Sequence, residues 1–416
     1  MLLKKSLLLI FIFFSFCRGW TQDSLGAPKK YRQTIEFNGL GYLNSTTIQN
    51  DFVRTFYYGK FIDENLKFTA TRKMEESNLL GGMTRAGFSY TCQSLEGNNA
   101  PIFTFSFLDR THIDIKFSDD LFNIIFYGNK KFAGQTAKMG DFSLDLLRYQ
   151  QFRFGWSRKG DASHGAYGFA FSLLSGEQNT SVKMPVADLF TADDGTFLDF
   201  DVTMDVHQTD TAHKGYFAQN GMGISTDFFY EMPYICWGKP GKIRFDIKDL
   251  GFIRWNSASM HYSADSAYHY EGVEVSDLFN MDSAVSPLNI DKVIDKNTSF
   301  RREKYTPCIP GALDIHTKSF YGKQFAFEKG FTWRFNTNAK MYYYAKLHFL
   351  PGRSKSVDIA YVLGYGGYGR FNSGLDLTAD IGKYYSFQFM NYYLFSDVTA
   401  QSTTGMGAFV KLLRKF

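Results

Sequence analysis

The stretch Phe371–Ile381 reads FNSGLDLTADI. Its odd positions are Phe371, Ser373, Leu375, Leu377, Ala379 and Ile381, and its even positions are Asn372, Gly374, Asp376, Thr378 and Asp380. A β-strand sends successive side chains to opposite faces, so one face of this strand is apolar and the other is polar and acidic. The pattern recurs along the chain. Val357–Tyr365 carries Val, Ile, Tyr, Leu and Tyr on its odd positions, and Phe325–Phe335 places Phe325, Phe327, Phe331, Trp333 and Phe335 on one parity, broken by Lys329. Tyr385, Phe387 and Phe389 continue it, and Leu198–Val206 sets Leu198, Phe200, Val202, Met204 and Val206 against Asp199, Asp201, Thr203 and Asp205. Similar alternation runs through Phe142–Trp156, Tyr167–Leu173, Met222–Tyr230, Ile243–Trp255 and Met341–Phe349.

A soluble β-sandwich alternates too. Composition separates the two readings. The chain has 416 residues, 44 of them Phe and 26 Tyr, so aromatics reach 18%. Mean hydropathy is nevertheless -0.25. Phe and Tyr take the apolar face where a sandwich favours Val and Ile, and the segments approach the roughly 9–11 residues of a tilted membrane-crossing strand. The reading is all-β: a transmembrane antiparallel β-barrel of about 14 strands, within roughly 12–16, with short helical excursions. Its apolar face meets outer-membrane lipid and its polar face a wet lumen, lined by Asp199, Asp201, Asp376 and Asp380.

The two ends fit this. Lys4 and Lys5 precede an apolar run from Leu7 to Phe16. Residues 1–20 are read as a secretory signal peptide, cleaved between Cys17 and Gln22, with a buried core helix or a lipidated Cys17 as alternatives. Residues 21–416 form one barrel domain. The last strand, GMGAFVKLLRKF, places Phe416, Leu412, Val410, Ala408 and Met406 on one parity. In lipid it must pair with the first strand, because an open edge leaves backbone groups unsatisfied. Localisation in the cell outer membrane follows.

Two segments break the alternation. Ser118 heads a short helix within residues 118–135, as N-cap, with Asp119 and Asp120 in its first turn and Gly128 and Asn129 ending it. Residues 263–297 are acidic and read as a loop or helical excursion. GYGGYGR (Gly364–Arg370) leads into a strand, not a helix, and lacks a following GK[ST], so it reads as a tight turn rather than a phosphate loop. Gly251 within IKDLGFIRWN marks a kink or bulge, with Trp255 at a membrane–water interface.

Four pieces, LFNIIFYGNKKFAG (Leu121–Gly134), GAYGFAFSLLSG (Gly165–Gly176), IKDLGFIRWN (Ile247–Asn256) with YEGVEV (Tyr270–Val275), and YTPCIPGALDI (Tyr305–Ile315), resemble in order a family of Bacteroidota outer-membrane barrels related to FadL, PorV and PorP/SprF-like proteins. The resemblance implies a non-enzymatic barrel that passes small or hydrophobic solutes, or a structural partner of a type 9 secretion-like export or gliding assembly. It also implies Phe416 as the terminal aromatic recognised by the barrel-assembly machinery during insertion. No FadL-type N-terminal plug is recognisable.

Other chemistry is weaker. A membrane-embedded hydrolase would need a histidine base from among His112, His164, His207, His213, His261, His269, His316 and His348. His207 with His213, and His261 with His269, are the closest pairs in sequence and the candidates for a metal or a base, against solvated loop histidines. Asp-Thr/Ser-Ala at Thr211, Ser266 and Ser283 resembles a periplasmic O-glycosylation signal and is expected in loops. Cys92, Cys236 and Cys308 are too few and too scattered for a disulfide framework, though one bridge fits. Net charge is +5 without a long basic tract, so no nucleic-acid partner is implied, and no cofactor is.

Overall fold

A computed structural model describes residues 31–94, 100–160, 165–213, 215–236, 238–271, 299–351, 356–394 and 403–416. The strands are β1 (Tyr31–Ser45), β2 (Asn78–Ser94), β3 (Ile102–Phe117), β4 (Gln135–Lys138), β5 (Phe142–Arg158), β6 (Ala166–Thr191), β7 (Phe197–Gln208), β8 (Gly221–Cys236) and β9 (Lys239–Trp255). They continue with β10 (Met260–Glu271), β11 (Ser299–Arg302), β12 (Gly311–Tyr321), β13 (Phe325–Phe335), β14 (Tyr342–Phe349), β15 (Val357–Tyr365), β16 (Phe371–Ile381), β17 (Tyr385–Asn391) and β18 (Gly405–Lys415). Three short helices join them: α1 (Asn50–Tyr57), α2 (Glu64–Thr71) and α3 (Asp119–Tyr127).

All the pairings are antiparallel within one 18-stranded sheet, and 14 of its strands close on themselves. Around the wall the order is β1, β2, β3, β5, β6, β8, β9, then β12 to β18, and β18 returns to β1 from Thr34↔Lys415 to Asn44↔Gly405. The closure satisfies the edge groups of both terminal strands.

The alternation sorts as lipid and water require. On β15, Tyr361, Leu363 and Tyr365 point outward and exposed, while Ala360, Val362 and Gly364 are buried. On β16, Asn372, Gly374 and Asp376 turn inward, and on β18, Val410 and Leu412 turn outward. The largest apolar surface therefore lies outside, as a barrel in lipid needs.

The remaining strands form an extension. β6 is 26 residues long. Its first part pairs with β8, from Ala166↔Glu231 to Gly176↔Gly221. Its second part pairs with β7, from Thr180↔Gln208 to Thr191↔Leu198. β10 then pairs with β7, and β11 with β10. β4 lies on the other side of the outer part of β6. Residues 263–271, read from the sequence as part of an excursion, belong to β10, and residues 272–297 lie outside the described residues.

The helices gather at the end of the barrel opposite Tyr31 and Phe416. Phe52, Ala70, Phe117 and Phe122 pack there with Ile48. Ser118 Oγ accepts from the Leu121 amide at 3.1 Å and caps α3, which ends at Gly128, and Asp63 caps α2 in the same way. The GYGGYGR segment is a turn between β15 and β16, where Gly366 and Gly367 take φ of 106° and 69°, values that favour glycine.

Candidate functional site

The site begins with an irregularity in β9. Along β8 the partners step from Thr226↔Leu250 to Phe228↔Ile247, so Lys248 and Asp249 together oppose Asp227. This is a β-bulge, and Asp249 sits at φ 59°, which aspartate tolerates better than most residues. The Asp249 amide donates to Asp227 Oδ1 at 2.7 Å. A one-residue slip exchanges the two faces of a strand. Arg244 and Asp246 therefore turn inward before the bulge, and Ile253 and Trp255, of the other parity, turn inward after it. Trp255 is fully buried against Tyr305, Leu147 and Ile253, which corrects the expectation of an interfacial ring. The bulge itself falls at Lys248–Asp249. Gly251 answers to a different constraint, since a Cβ there would lie 2.1 Å from the Ile224 carbonyl oxygen.

The bulge aims Asp249 at Arg110 of β3. Arg110 Nη1 donates to Asp249 Oδ1 at 2.6 Å and to Gln151 Oε1 at 2.9 Å. Gln151 Nε2 donates in turn to Ser172 Oγ at 3.0 Å and to Asp249 Oδ1 at 3.2 Å. All four residues are buried. Arg153 Nε donates to Asp227 Oδ2. The Arg110 guanidinium lies 5.5 Å from the Tyr149 ring, on which His112 stacks. Around the wall, β3 and β9 are separated by β5, β6 and β8, so the pair crosses the interior. Other crossings accompany it. Asn338, between β13 and β14, donates its amide and Nδ2 to Asp114 Oδ2 of β3 at 2.8 and 3.2 Å. Arg334 of β13 lies 5.8 Å from the Tyr42 ring of β1. Buried charge is tolerated only when paired and hydrogen-bonded, and the Arg110–Asp249 pair meets that condition.

A second charged group lines the wall from β12 to β16. Lys346 Nζ lies 3.6 Å from Glu328 Oε1 and 3.4 Å from Asp376 Oδ2. His348 Nδ1 lies 2.9 Å from Asp358 Oδ1. The register places Glu328 opposite Lys346 and His348 opposite Ala360, which in turn faces Asp376. With Lys318 these side chains border a cavity of about 230 Å³.

Of the acidic residues expected in the lumen, Asp376 faces this cavity. Asp380 shares its face nearer the strand end, where it is exposed and pairs with Lys415 Nζ at 3.2 Å. Asp199 and Asp201 are corrected: both are exposed on β7, in the extension and outside the 14-strand wall. Period-2 alternation marks two faces without saying which sheet they belong to. The sequence reading missed Arg110, Glu328 and Lys346, although the inward parity of their strands marks them, and it missed Asp249, whose inward turn is set by the bulge.

Thr211 is exposed after β7, but Ser266 lies within β10 rather than in a loop, and Ser283 lies outside the described residues. The Phe416 amide donates to the Gln33 carbonyl at 3.0 Å, one residue beyond the β1–β18 ladder. Cys92 and Cys308 are free thiols, and the Cys236 side chain lies outside what the structure describes.

The histidines pair differently from their sequence neighbours. His207 stacks on His261, His269 bonds Asp199, and His213 bonds Asn220. His316 bonds Asp314, and His112 is buried in the interior. His164 lies outside the described residues.

Comparison with known proteins gives one family. A model described as a family of unknown function (DUF5723) matches residues 26–391. No curated protein matches the sequence. Among solved structures, the chain is similar to the translocator domain of the autotransporter NalP from Neisseria meningitidis, at 7% identity and TM-score 0.30, over 99% of this chain and 97% of that one. It is similar to Pseudomonas putida OprB at low pH, at 9% identity and TM-score 0.30, over 93% of each chain. The Pseudomonas putida toluene transporter TodX follows at 8% identity and TM-score 0.26, over 94% of this chain and 89% of that one.

Proposed function

The chain belongs to this family of unknown function, DUF5723, and from that premise we propose that it is a non-enzymatic outer-membrane barrel that admits small hydrophilic solutes. The charged inner wall around Glu328, Lys346, His348, Asp358 and Asp376 carries the reading, because it offers donors and acceptors to a solute entering from water. Those charges favour hydrophilic cargo over the hydrophobic solutes also expected. The Arg110–Asp249 bridge is the constriction that limits passage. Tight turns such as Tyr321–Phe325 lie at the end holding Tyr31 and Phe416, and the helices at the other. Outer-membrane barrels keep short turns on the periplasmic side, so the helices and the extension face outward.

Conductance in planar bilayers tests the reading. The purified barrel should give small, discrete steps, and Arg110→Ala should enlarge them. A barrel that stays silent both as wild type and as Arg110→Ala overturns solute passage.

One observation favours a second role, as a partner in an envelope export or gliding assembly. Phe56, Tyr57, Tyr58, Phe61 and Phe68 are exposed on and beside α1 and α2. Large aromatics grouped at an outward end suit a protein interface. Cross-linking in intact cells should capture an envelope protein that Phe61→Ala with Phe68→Ala releases, and identical products from both would remove this role. Phe416 remains the proposed insertion signal, tested by the fraction of Phe416→Ala assembled in membranes. Exposed Thr211 remains a proposed O-glycan acceptor, tested by intact mass.

A further inference from the structure

The extension carries a cluster that solute passage does not use. Asp205 and His207 stand two residues apart on β7 and so share a face. β10 runs antiparallel beside them, with His261 directly opposite His207. The Asp205 carboxylate lies between the two imidazoles. Its Oδ1 is 3.0 Å from His207 Nδ1, and its Oδ2 is 2.7 Å from His261 Nε2. The rings stack with centroids 4.2 Å apart and planes 13° from parallel. One ligand atom from each of the three residues lies within 4.8 Å of the others. Behind His261, its Nδ1 lies 3.0 Å from Glu303 Oε1, and Arg301 Nε holds Glu303 Oε2 at 3.0 Å. Arg301 Nε also donates to His261 Nδ1 at 3.0 Å, a bond that gives way when Nδ1 carries the proton.

We propose that Asp205, His207 and His261 bind one divalent transition-metal ion of the zinc class, with Glu303 as the carboxylate that orients His261.

Two imidazoles and a carboxylate are a donor set that zinc takes, at about 2.0–2.2 Å per bond, with a fourth position for water. Two such bonds bring ligand atoms to within about 4 Å of each other, so small side-chain rotations close the present spacing. A histidine that ligates through Nε2 donates its Nδ1–H outward, commonly to a carboxylate, and Glu303 occupies that place. The shift of the His261 proton from Nε2 to Nδ1 that ligation requires is a tautomer change with no net loss of a proton. The Asp205 carboxylate offsets one of the ion's two charges, and Glu303, which also pairs with Arg301, offsets part of the other. The backbone is already fixed, since β7 and β10 pair without interruption from Met260↔Gln208 to Glu271↔Phe197.

A second cluster, Asp246, Asp314 and His316, has similar spacing but carries no such proposal. Arg244 donates to both oxygens of Asp246, at 2.7 and 2.9 Å, and already fills the cation's place.

The test uses the full barrel purified through a tag without histidine, stripped with chelator, exposed to zinc chloride and dialysed. Metal content should be about one zinc per chain, the complement of one such three-ligand site. His207→Ala and His261→Ala should lose it, while His213→Ala should keep it. Glu303→Gln should weaken zinc about 10- to 100-fold, the usual effect of removing an outer carboxylate. Heat-modifiable migration and the β signal in circular dichroism report whether each variant is folded. A wild-type barrel without zinc, or a folded His207→Ala/His261→Ala variant that holds as much as wild type, overturns the proposal. Should the alanine variants fail to assemble, Glu303→Gln decides it: unchanged zinc affinity counts against the site, and the expected weakening supports it.

Discussion

Arg110 of β3 and Asp249 of β9 face each other across the barrel interior, 2.6 Å apart, with β5, β6 and β8 standing between their strands in the wall. The contact exists because a bulge rotates Asp249 out of the phase of its own strand.

Removing one partner should be costly. Asp249→Asn keeps a residue that tolerates positive φ but strips the counter-charge from a buried guanidinium. Breaking such a pair costs about 3–5 kcal/mol. Pairing it with Arg110→Met should recover part of that loss. Urea unfolding in micelles, followed by tryptophan fluorescence, measures both; a single variant as stable as wild type would show that the pair carries no weight.

Gly251→Ala should destabilise the barrel by about 1–3 kcal/mol, the range for atoms forced into filled space. Its Cβ meets the Ile224 carbonyl, whereas a Cβ at Gly39 meets nothing within 4 Å. Gly39→Ala is therefore the matched control, and equal unfolding midpoints for the two variants would refute the close-approach account.

Ser118→Ala should cost about 1 kcal/mol by leaving the first turn of α3 without its cap. Faster hydrogen exchange at the Leu121 amide, with the strands unchanged, is the readout. Unaltered protection would mean that packing against Phe52 and Phe117 alone holds the helix.

In the extension, the hydrogen bond that the His269 imidazolium donates to Asp199, with a lesser contribution from Glu271, raises its pKa above the ordinary 6.5. The folded value exceeds the unfolded one, so the contribution to stability is fully present below pH 6.5 and fades as pH rises through the higher folded value. Ring-proton NMR should show His269 titrating above its ordinary midpoint, and Asp199→Asn should return it there. A wild-type midpoint at or below the ordinary value would contradict the hydrogen bond.

The barrel was legible because lipid and water impose a period of two, and Phe371–Ile381 obeys it with one parity outward and one inward. Where reading failed, a physical reason stands behind each case. Ile243–Trp255 does switch its outward apolar parity at Lys248–Asp249, from Ile243, Phe245 and Ile247 to Leu250 and Phe252, but Ile253 and Trp255 keep the earlier parity and hide the bulge that reverses its faces. Leu198–Val206 alternates as a wall strand would, but it pairs with the outer half of β6. Ser263–Glu271 carries polar residues on both faces, because it lies in an outlying leaf with little core to bury, and so reads as a loop. The meeting of His207 with His261 depends on a register between distant strands that no local pattern encodes.

β6 is anchored in the wall for its first half and stands free of the β8 side for its second. Its pairing with β5 runs on to Met184, and the seven residues beyond, Pro185 to Thr191, project roughly 23 Å past that wall strand at the usual rise of a strand. That makes it a cantilever. Its fulcrum is Glu177, the extra residue where β6 slips against β5, gripped by Arg148 Nε at 2.7 Å and by the Phe217 amide. A sideways push on the tip is delivered there as torque, to the staves that flank the hinge.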